Sequence, residues 1–325
     1  MKEDIACRVC ASLDITRLPI GVYASFFELR IDTSKDPFAM YSYRSSVPLP
    51  EKRHSLRAKM RRFAQRNGRR RNANNEKRFF RTMCQFCINC HSITPSHEYS
   101  FHDLSGFYHD YRCDSYNSDR IAVEPGYRKI ANLVGKSIVE ERVRNAGVSK
   151  FLAAHKDGIA GGSVLDLGGS DGKFIPSCII DAFEAVDILD ASAVPVHPQF
   201  DQSKMRKVSQ AKAGAYSLLT CMHVLEHVGN PRAFLVDALP YLKPGAHLYL
   251  EVPLESTPEV REQFRSRTID IPFYIHEHLN MYDVQSIPKL VASIAELELI
   301  DSQNDVIEIG WATGTVGRYL LKRIK

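Results

Sequence analysis

Beyond Gly161 the apolar positions fall into short runs separated by turn residues. Residues 163–167, the FEAVDIL stretch at 183–189, residues 216–221 and residues 247–252 are such runs, bounded by glycine, proline or polar clusters, and predict strands. Between them IPSCII at 175–180 reads as a helix. A second helix opens at Asn230-Pro231, and the Lys243-Pro244-Gly245 turn closes it before the next strand, because proline fits a helix's first turn and glycine the residue beyond its end. The C-terminal DVIEIGWATGTVGRYLLKRIK predicts two antiparallel strands joined by a Gly-Trp-Ala-Thr-Gly-Thr turn. Upstream, Ile130, Leu133, Val134 and Ile138 recur at helical spacing and predict helices over 127–145 and 148–156. Strands alternating with helices make the fold class α/β.

The segment from Ser100 to Arg128 lacks this periodicity. It is dense in aromatic and polar groups, and Tyr108, His109, Tyr111, Arg112, Asp114, Tyr116, Asn117 and Arg120 read as a binding surface rather than a packing face. The chain accordingly divides into a lobe at 1–99, a connector with helices at 100–160 and a main domain at 161–325.

With 325 residues, 44% apolar and 25% charged, the composition excludes a peptide-sized module and a wholly disordered chain. No apolar run reaches the roughly 18 to 20 residues of a membrane-spanning helix, and MKEDIACRVC carries no apolar export stretch, which predicts a cytoplasmic protein. The net charge of +5 conceals an insert at 51–81 with 13 Lys or Arg against two Glu, a local +11 that leaves −6 for the remainder. Such a run suits an anionic partner, nucleic acid or membrane surface, or else is a solvated excursion. Leu56, Met60 and Phe63 place a short helix within it.

Eight cysteines in a reducing compartment stay as thiols or bind metal. Cys7-Arg-Val-Cys10 and the cluster Cys84, Cys87, Cys90 bracket the basic insert. Two CxxC knuckles present four thiolates to one tetrahedral Zn ion, the pattern of a zinc ribbon. Either Cys84 with Cys87 or Cys87 with Cys90 completes the site. Cys7, Cys10, Cys87 and Cys90 are favoured, since CxxC followed by His91-Ser92-Ile93 resembles the second knuckle of other ribbons.

Glycines at the end of a strand let backbone amides approach a ligand, so Gly168, Gly169 and Gly172 in VLDLGGSDG can shape a phosphate or nucleoside cradle. Asp190 closes the next strand 18 residues beyond Gly172, where an acid accepts hydrogen bonds from ribose hydroxyls. His223-Val-Leu-Glu226-His227 also fits the HxxEH pattern of one metalloprotease class, but its place at a strand end speaks against that reading.

The ordered blocks VLDLGGSDG, VDILDAS, TCMHVLEHVGNPRAFL and LKPGAHLYLEVP resemble the motifs of class I S-adenosylmethionine-dependent methyltransferases over roughly residues 160–320. The CxxC ribbon and Ile275-His276-Glu277-His278-Leu279 extend the resemblance to sugar C-methyltransferases and related glycan-modifying enzymes. Ser170, Ile275 and the lack of a further domain after Lys325 depart from that pattern and put carbon as the acceptor atom in doubt.

The resemblance implies a Rossmann-like sandwich with a seven-stranded, mostly parallel sheet, an antiparallel last strand and an N-terminal zinc-ribbon lobe. It implies that Asp166 and the glycine turn hold the methionine end of S-adenosylmethionine. Asp190 would take the ribose, Ala191 and Ser192 would flank the adenine, and Cys221, Met222 and His223 would face the sulfonium. His276 is the first choice of base, with His278 as alternate and Glu277 as orienter. The implied acceptor is a sugar nucleotide or glycan. An RNA methyltransferase gripping phosphates through the zinc lobe and basic insert, and a non-catalytic cofactor-binding assembly protein, are the competing functions.

Overall fold

The computed structural model describes residues 6–22, 40–43, 79–111, 113–155, 158–159, 161–266 and 278–325. The basic insert lies outside them apart from its last three residues, which enter a strand, and the short helix expected around Leu56 lies outside altogether.

Two sheets organise the chain. The smaller has β1 (Ile15–Val22), β2 (Met40–Tyr43), β3 (Phe79–Cys87) and β4 (Ile93–Pro95), with β3 antiparallel to all three others. The larger runs β10-β11-β9-β8-β5-β6-β7, from β5 (Ser163–Leu167), β6 (Ala185–Leu189), β7 (Met205–Lys207), β8 (Tyr216–Met222), β9 (Leu242–Pro253), β10 (Leu297–Glu308) and β11 (Thr313–Arg323). The five strands β7, β6, β5, β8 and β9 pair in parallel, while β11 is antiparallel to both β9 and β10. This is the expected Rossmann-like sheet. The C-terminal hairpin closes it as expected with an antiparallel last strand, β11, which pairs with β9 and leaves β10 at the edge. A short parallel strand between β6 and β8 in the chain, the three-residue β7, forms the opposite edge.

Successive residues of the parallel strands bury opposite faces. Leu165, Leu219, Leu248 and Leu250 enter one core with helices α5 (Pro231–Ala238) and α6 (Ser286–Ala292). Val164, Leu218 and Tyr249 enter the other with helices α3 (Ile138–Ala153) and α4 (Ser177–Ala182). Both faces are covered, which is why these strands read as continuous apolar runs.

Two expected boundaries move. Gly135 has a φ of +63° and Ser137 caps α3, so the helix expected from 127 begins at Ile138, and Ile130 to Val134 lie in turns. Lys243-Pro244-Gly245 does not separate two elements. It is a bulge inside β9, where Tyr216 pairs with Leu242 and Leu218 with His247.

The connector also corrects its reading. Helices α1 (Phe101–Tyr108) and α2 (Asp114–Val123) bury Tyr116, Asn117 and Arg120, with the Arg120 guanidinium 3.7 Å from the Tyr127 ring and paired to Glu124. Three of the eight residues of the supposed binding surface are therefore packing residues.

One buried charge crosses the main sheet. Glu251 in β9 is fully buried and faces Arg318 in β11 across the ladder, with Arg318 Nε donating to it at 2.8 Å. Tyr249 Oη donates at 3.1 Å, and His223 Nε2 stands 3.0 Å away. Gly147 of α3 makes room: a Cβ there would lie 2.3 Å from Arg318 Nη2. Burial alone would raise the Glu251 carboxyl, but His223, Arg144 and Arg318 outweigh it and bring it down to about 2. Arg318→Leu strands this carboxylate and is expected to cost about 3–5 kcal/mol, read by urea denaturation. Adding Glu251→Gln should recover part of that loss.

Candidate functional site

Parallel register brings the carboxyl ends of β5, β6 and β8 to one edge of the sheet. Leu167 pairs with Leu189 on one side and Cys221 on the other, and Gly168 N–H donates to Leu189 O at 2.8 Å. The segments beginning at Gly168, Asp190 and His223 therefore leave the sheet side by side, as the ligand crevice of an open parallel sheet requires.

Gly168 and Gly172 adopt φ of +70° and +83°, and a Cβ on them would meet Val224 Cγ2 and Met205 Sδ at 2.6 Å. Ser170 is also left-handed, at +52°. Gly169 is needed for space: a Cβ there would fall 1.6 Å from Asp166 Oδ2. Asp166 is buried, accepts from Thr220 Oγ1 at 2.6 Å through Oδ1, and has no hydrogen bond to Oδ2 among the described residues. Burial pushes its carboxyl up to about 7, against the pull of Thr220.

Asp190 shapes its own turn. Oδ2 accepts from Ser170 N–H at 3.0 Å, Oδ1 from Ser192 N–H at 2.8 Å, and the Ser192 hydroxyl bonds the same oxygen. Lys207 Nζ lies 3.6 Å from Asp190 and donates to Ser192 O at 2.9 Å. Each carboxylate oxygen keeps further accepting capacity. Ala191 is exposed and Ser192 buried.

At the end of β8 the expected trio divides. Cys221 points into the core, fully buried, with its thiol pushed well above the ordinary value by that burial, and Met222 is buried as well. His223 has a φ of +55° and its ring lies between Glu226, 3.3 Å from Nδ1, and Glu251. Burial and Arg144 oppose its protonation, but the two carboxylates outweigh them and raise its pKa.

His276 and Glu277 lie outside the described residues. His278 Nδ1 is 2.8 Å from Glu255 Oε2 just beyond β9, and its ring is 5.0 Å from that of His227. His227 Nδ1 is 3.0 Å from Tyr108 Oη, which brings the connector to this edge. Asn280 fixes the turn that carries His227: Nδ2 donates to Leu225 O at 3.0 Å and Val228 O at 2.7 Å, and its N–H to Glu226 O at 3.0 Å.

The favoured cysteine set converges. Cys7, Cys10, Cys87 and Cys90 are buried, with their sulfurs within 4.8 Å of one another. Cys7–Cys90 and Cys10–Cys87 are 3.7 and 3.6 Å apart, too long for disulfides and near the about 3.8 Å edge of a tetrahedron with 2.3 Å Zn–S bonds. The knuckles are alike: Ala11 and His91, each following a second cysteine, have φ of +60° and +58° and donate N–H to Cys7 O and Cys87 O. Cys84 lies in a different core.

The sequence reading missed Glu251, Arg318, Thr220, Lys207, Glu255 and Asn280. An acid inside the apolar run LYLEVP and an arginine inside VGRYLL were visible anomalies, because unpaired charges are almost never fully buried.

Residues 139–300 match a family model described as a methyltransferase domain. The chain carries a class I S-adenosylmethionine-dependent methyltransferase domain. Curated relatives include ubiquinone biosynthesis O-methyltransferases of Acinetobacter baylyi, 28% identical over 114 residues, and of Acinetobacter baumannii, 30% identical over 107 residues. These alignments cover 30% and 28% of this chain, and 47% and 44% of the relatives. The chain thus spans about half the length of the curated relatives it matches. Among solved structures, a magnesium protoporphyrin IX methyltransferase from Synechocystis PCC 6803 is 16% identical, covering 68% of this chain and all of that one at a TM-score of 0.45. A methyltransferase from Leishmania major is 13% identical, covering 59% and 77% at 0.42. Scores this low add nothing to what the sheet order gives.

The methyltransferase domain fits its cofactor on two counts: the glycine cradle has no room for side chains, and the Asp166 oxygen without a partner suits a ligand ammonium. Affinity for S-adenosylmethionine should rise with pH as Asp166 ionises through about 7, measured by calorimetry. Gly169→Ala should weaken that affinity roughly tenfold or more. An affinity flat across this range would remove Asp166 from the site.

Proposed function

We propose that this protein transfers the methyl group of S-adenosylmethionine to a hydroxyl-bearing acceptor, a sugar nucleotide or glycan. The observation that carries the reading is the glycine cradle with Asp166 and Asp190 at one edge of the parallel sheet, inside the matched methyltransferase domain. Asp166 and the 168–172 turn hold the methionine end, and Asp190 with Ser192 the ribose and adenine. Bound there, the cofactor supplies an electrophilic methyl group. His276 takes the acceptor's proton, a role suited to an imidazole near neutral pH and worth about 100- to 10,000-fold in rate.

The sugar assignment rests on the HEH loop and the paired CxxC knuckles. A phenolic acceptor is the second reading, favoured by the names of the curated relatives. In both, zinc on the four cysteines is structural. Val9 and the four cysteines share a core with Leu235 and Ile287, and Ser286 Oγ donates to Cys90 O at 2.8 Å, so that metal braces the main domain as well as its own sheet. Among the described residues no helix is long and apolar enough to cross a membrane.

Asp190→Ala should abolish cofactor affinity. His276→Ala should keep it and lower turnover by about two orders of magnitude or more. Equal loss of affinity in both would overturn the division of roles. Release of S-adenosylhomocysteine with nucleotide sugars but not catechols supports the sugar acceptor, and the reverse supports the phenol. Activity on RNA that disappears when 51–81 is deleted would replace both.

A further inference from the structure

We infer that Lys207 is a positioning residue for the nucleoside half of the cofactor: it closes the 190–192 turn and so holds Asp190 ready for the ribose. The inference rests on the proposed reading of Asp190 as the ribose acid and deepens it. Lys207 ends β7, the three-residue strand that pairs in parallel with β6.

Alternation along β7 sends its two cations to opposite faces of the sheet. Arg206 takes the face of Asp187, its register partner, where Nε donates to Asp187 Oδ1 at 2.8 Å and the side chain stays 57% exposed. Lys207 shares the other face with Met205, whose sulfur lies so close to Gly172 that a Cβ there would meet it at 2.6 Å. Lys207 therefore stands on the face that carries the glycine turn. The register sets how far it must reach. Lys207 pairs with Ile188, and Val208 N–H donates to Ile188 O at 2.9 Å, so β7 ends two residues short of Asp190. The four-carbon stem of a lysine spans that step and delivers the amine to the turn.

There the ammonium meets three oxygens. Nζ donates to Ser192 O at 2.9 Å and to Ser192 Oγ at 3.3 Å, and stands 3.6 Å from Asp190 Oδ1. An ammonium has three donors and no acceptor, so this set uses it fully. Asp190 Oδ1 also accepts from Ser192 N–H, and Oδ2 from Ser170 N–H, so one carboxylate joins the glycine turn to the 190–192 turn. Among the described residues Lys207 is the cation within 4 Å of Asp190, and its removal takes both that charge and the donor on Ser192 O. The position confines the effect to binding. β7 is the edge strand, and β6 and β5 lie between it and β8, from whose end His223 leaves toward the acceptor side.

The test uses the full chain. Calorimetry measures its affinity for S-adenosylmethionine and for methylthioadenosine, which keeps the adenine and ribose but lacks the amino-acid tail. Lys207→Met should weaken both by the same factor, about tenfold, the loss expected when charge-assisted contacts are removed. Lys207→Arg keeps the charge and should hold both affinities within about threefold of the wild type. Arg206→Met removes the neighbouring cation on the other face and should leave both unchanged, with melting curves confirming the fold of every variant. Unchanged affinity in Lys207→Met, a loss confined to S-adenosylmethionine, no recovery in Lys207→Arg, or an equal loss in Arg206→Met overturns the inference. The wild type separates the two readings. Failure of the wild type to bind S-adenosylmethionine sinks the reading of the crevice itself, whereas equal binding by wild type and Lys207→Met sinks only the role of Lys207.

Discussion

Glu251 lies near the carboxyl end of β9 with no exposure to water, and its charge is met from three directions. Arg318 arrives from the neighbouring strand, His223 from the turn after β8, and Tyr249 from two residues earlier on the same strand. Arg144 of α3 completes the ring at 3.8 Å. A buried carboxylate tolerates few geometries, because losing any partner leaves a charge in a medium of low dielectric. The placement of β11 inside the sheet, the glycine at 147 and the left-handed backbone of His223 all serve this one contact. Fixing His223 also fixes the start of the turn that carries Glu226 and His227, since His223 Nδ1 lies 3.3 Å from Glu226.

The cysteine-bearing sheet is tied to the same edge. Met281 and Ile93 exchange backbone hydrogen bonds at 2.9 and 3.0 Å, Ser256 Oγ donates to His91 O, and Arg8 reaches the carbonyl of Gly229. Gly229 itself packs against the Tyr99 carbonyl so closely that a Cβ there would lie 1.9 Å from it. The segment at 278–283 runs between the two sheets, pairing with β4 on one side and bonding the 225–228 turn on the other. An ion held on the four thiolates would therefore stiffen the 278–283 segment and the 225–228 turn through these contacts and not merely its own knuckles.

Much of this was legible in the chain. The strand ends near Asp166, Asp190 and Met222 and the Asn230 cap and Pro231 start of α5 follow from local chemistry, glycine punctuation and capping side chains, whereas spacing left Cys84 and Cys90 equivalent and only the resemblance to other ribbons favoured Cys90. Helical spacing misled at Ile130–Val134, since a left-handed Gly135 and the Ser137 cap start the helix at Ile138, about three turns beyond the expected 127. The aromatic connector misled for the opposite reason, because Tyr116 and Arg120 find partners within their own segment and pack inward.

Local order, then, was the sequence's to determine: which stretches extend, where they turn, and which residues lie at strand ends, all set by backbone sterics and apolar period over a few residues. What the tertiary structure decided is which distant side chains meet. The pairing of Glu251 with Arg318 and of Tyr108 with His227 spans 67 and 119 positions. No local pattern encodes such a meeting. It results from parallel strands delivering their ends to one edge and from the need to neutralise charges that the same packing has removed from water.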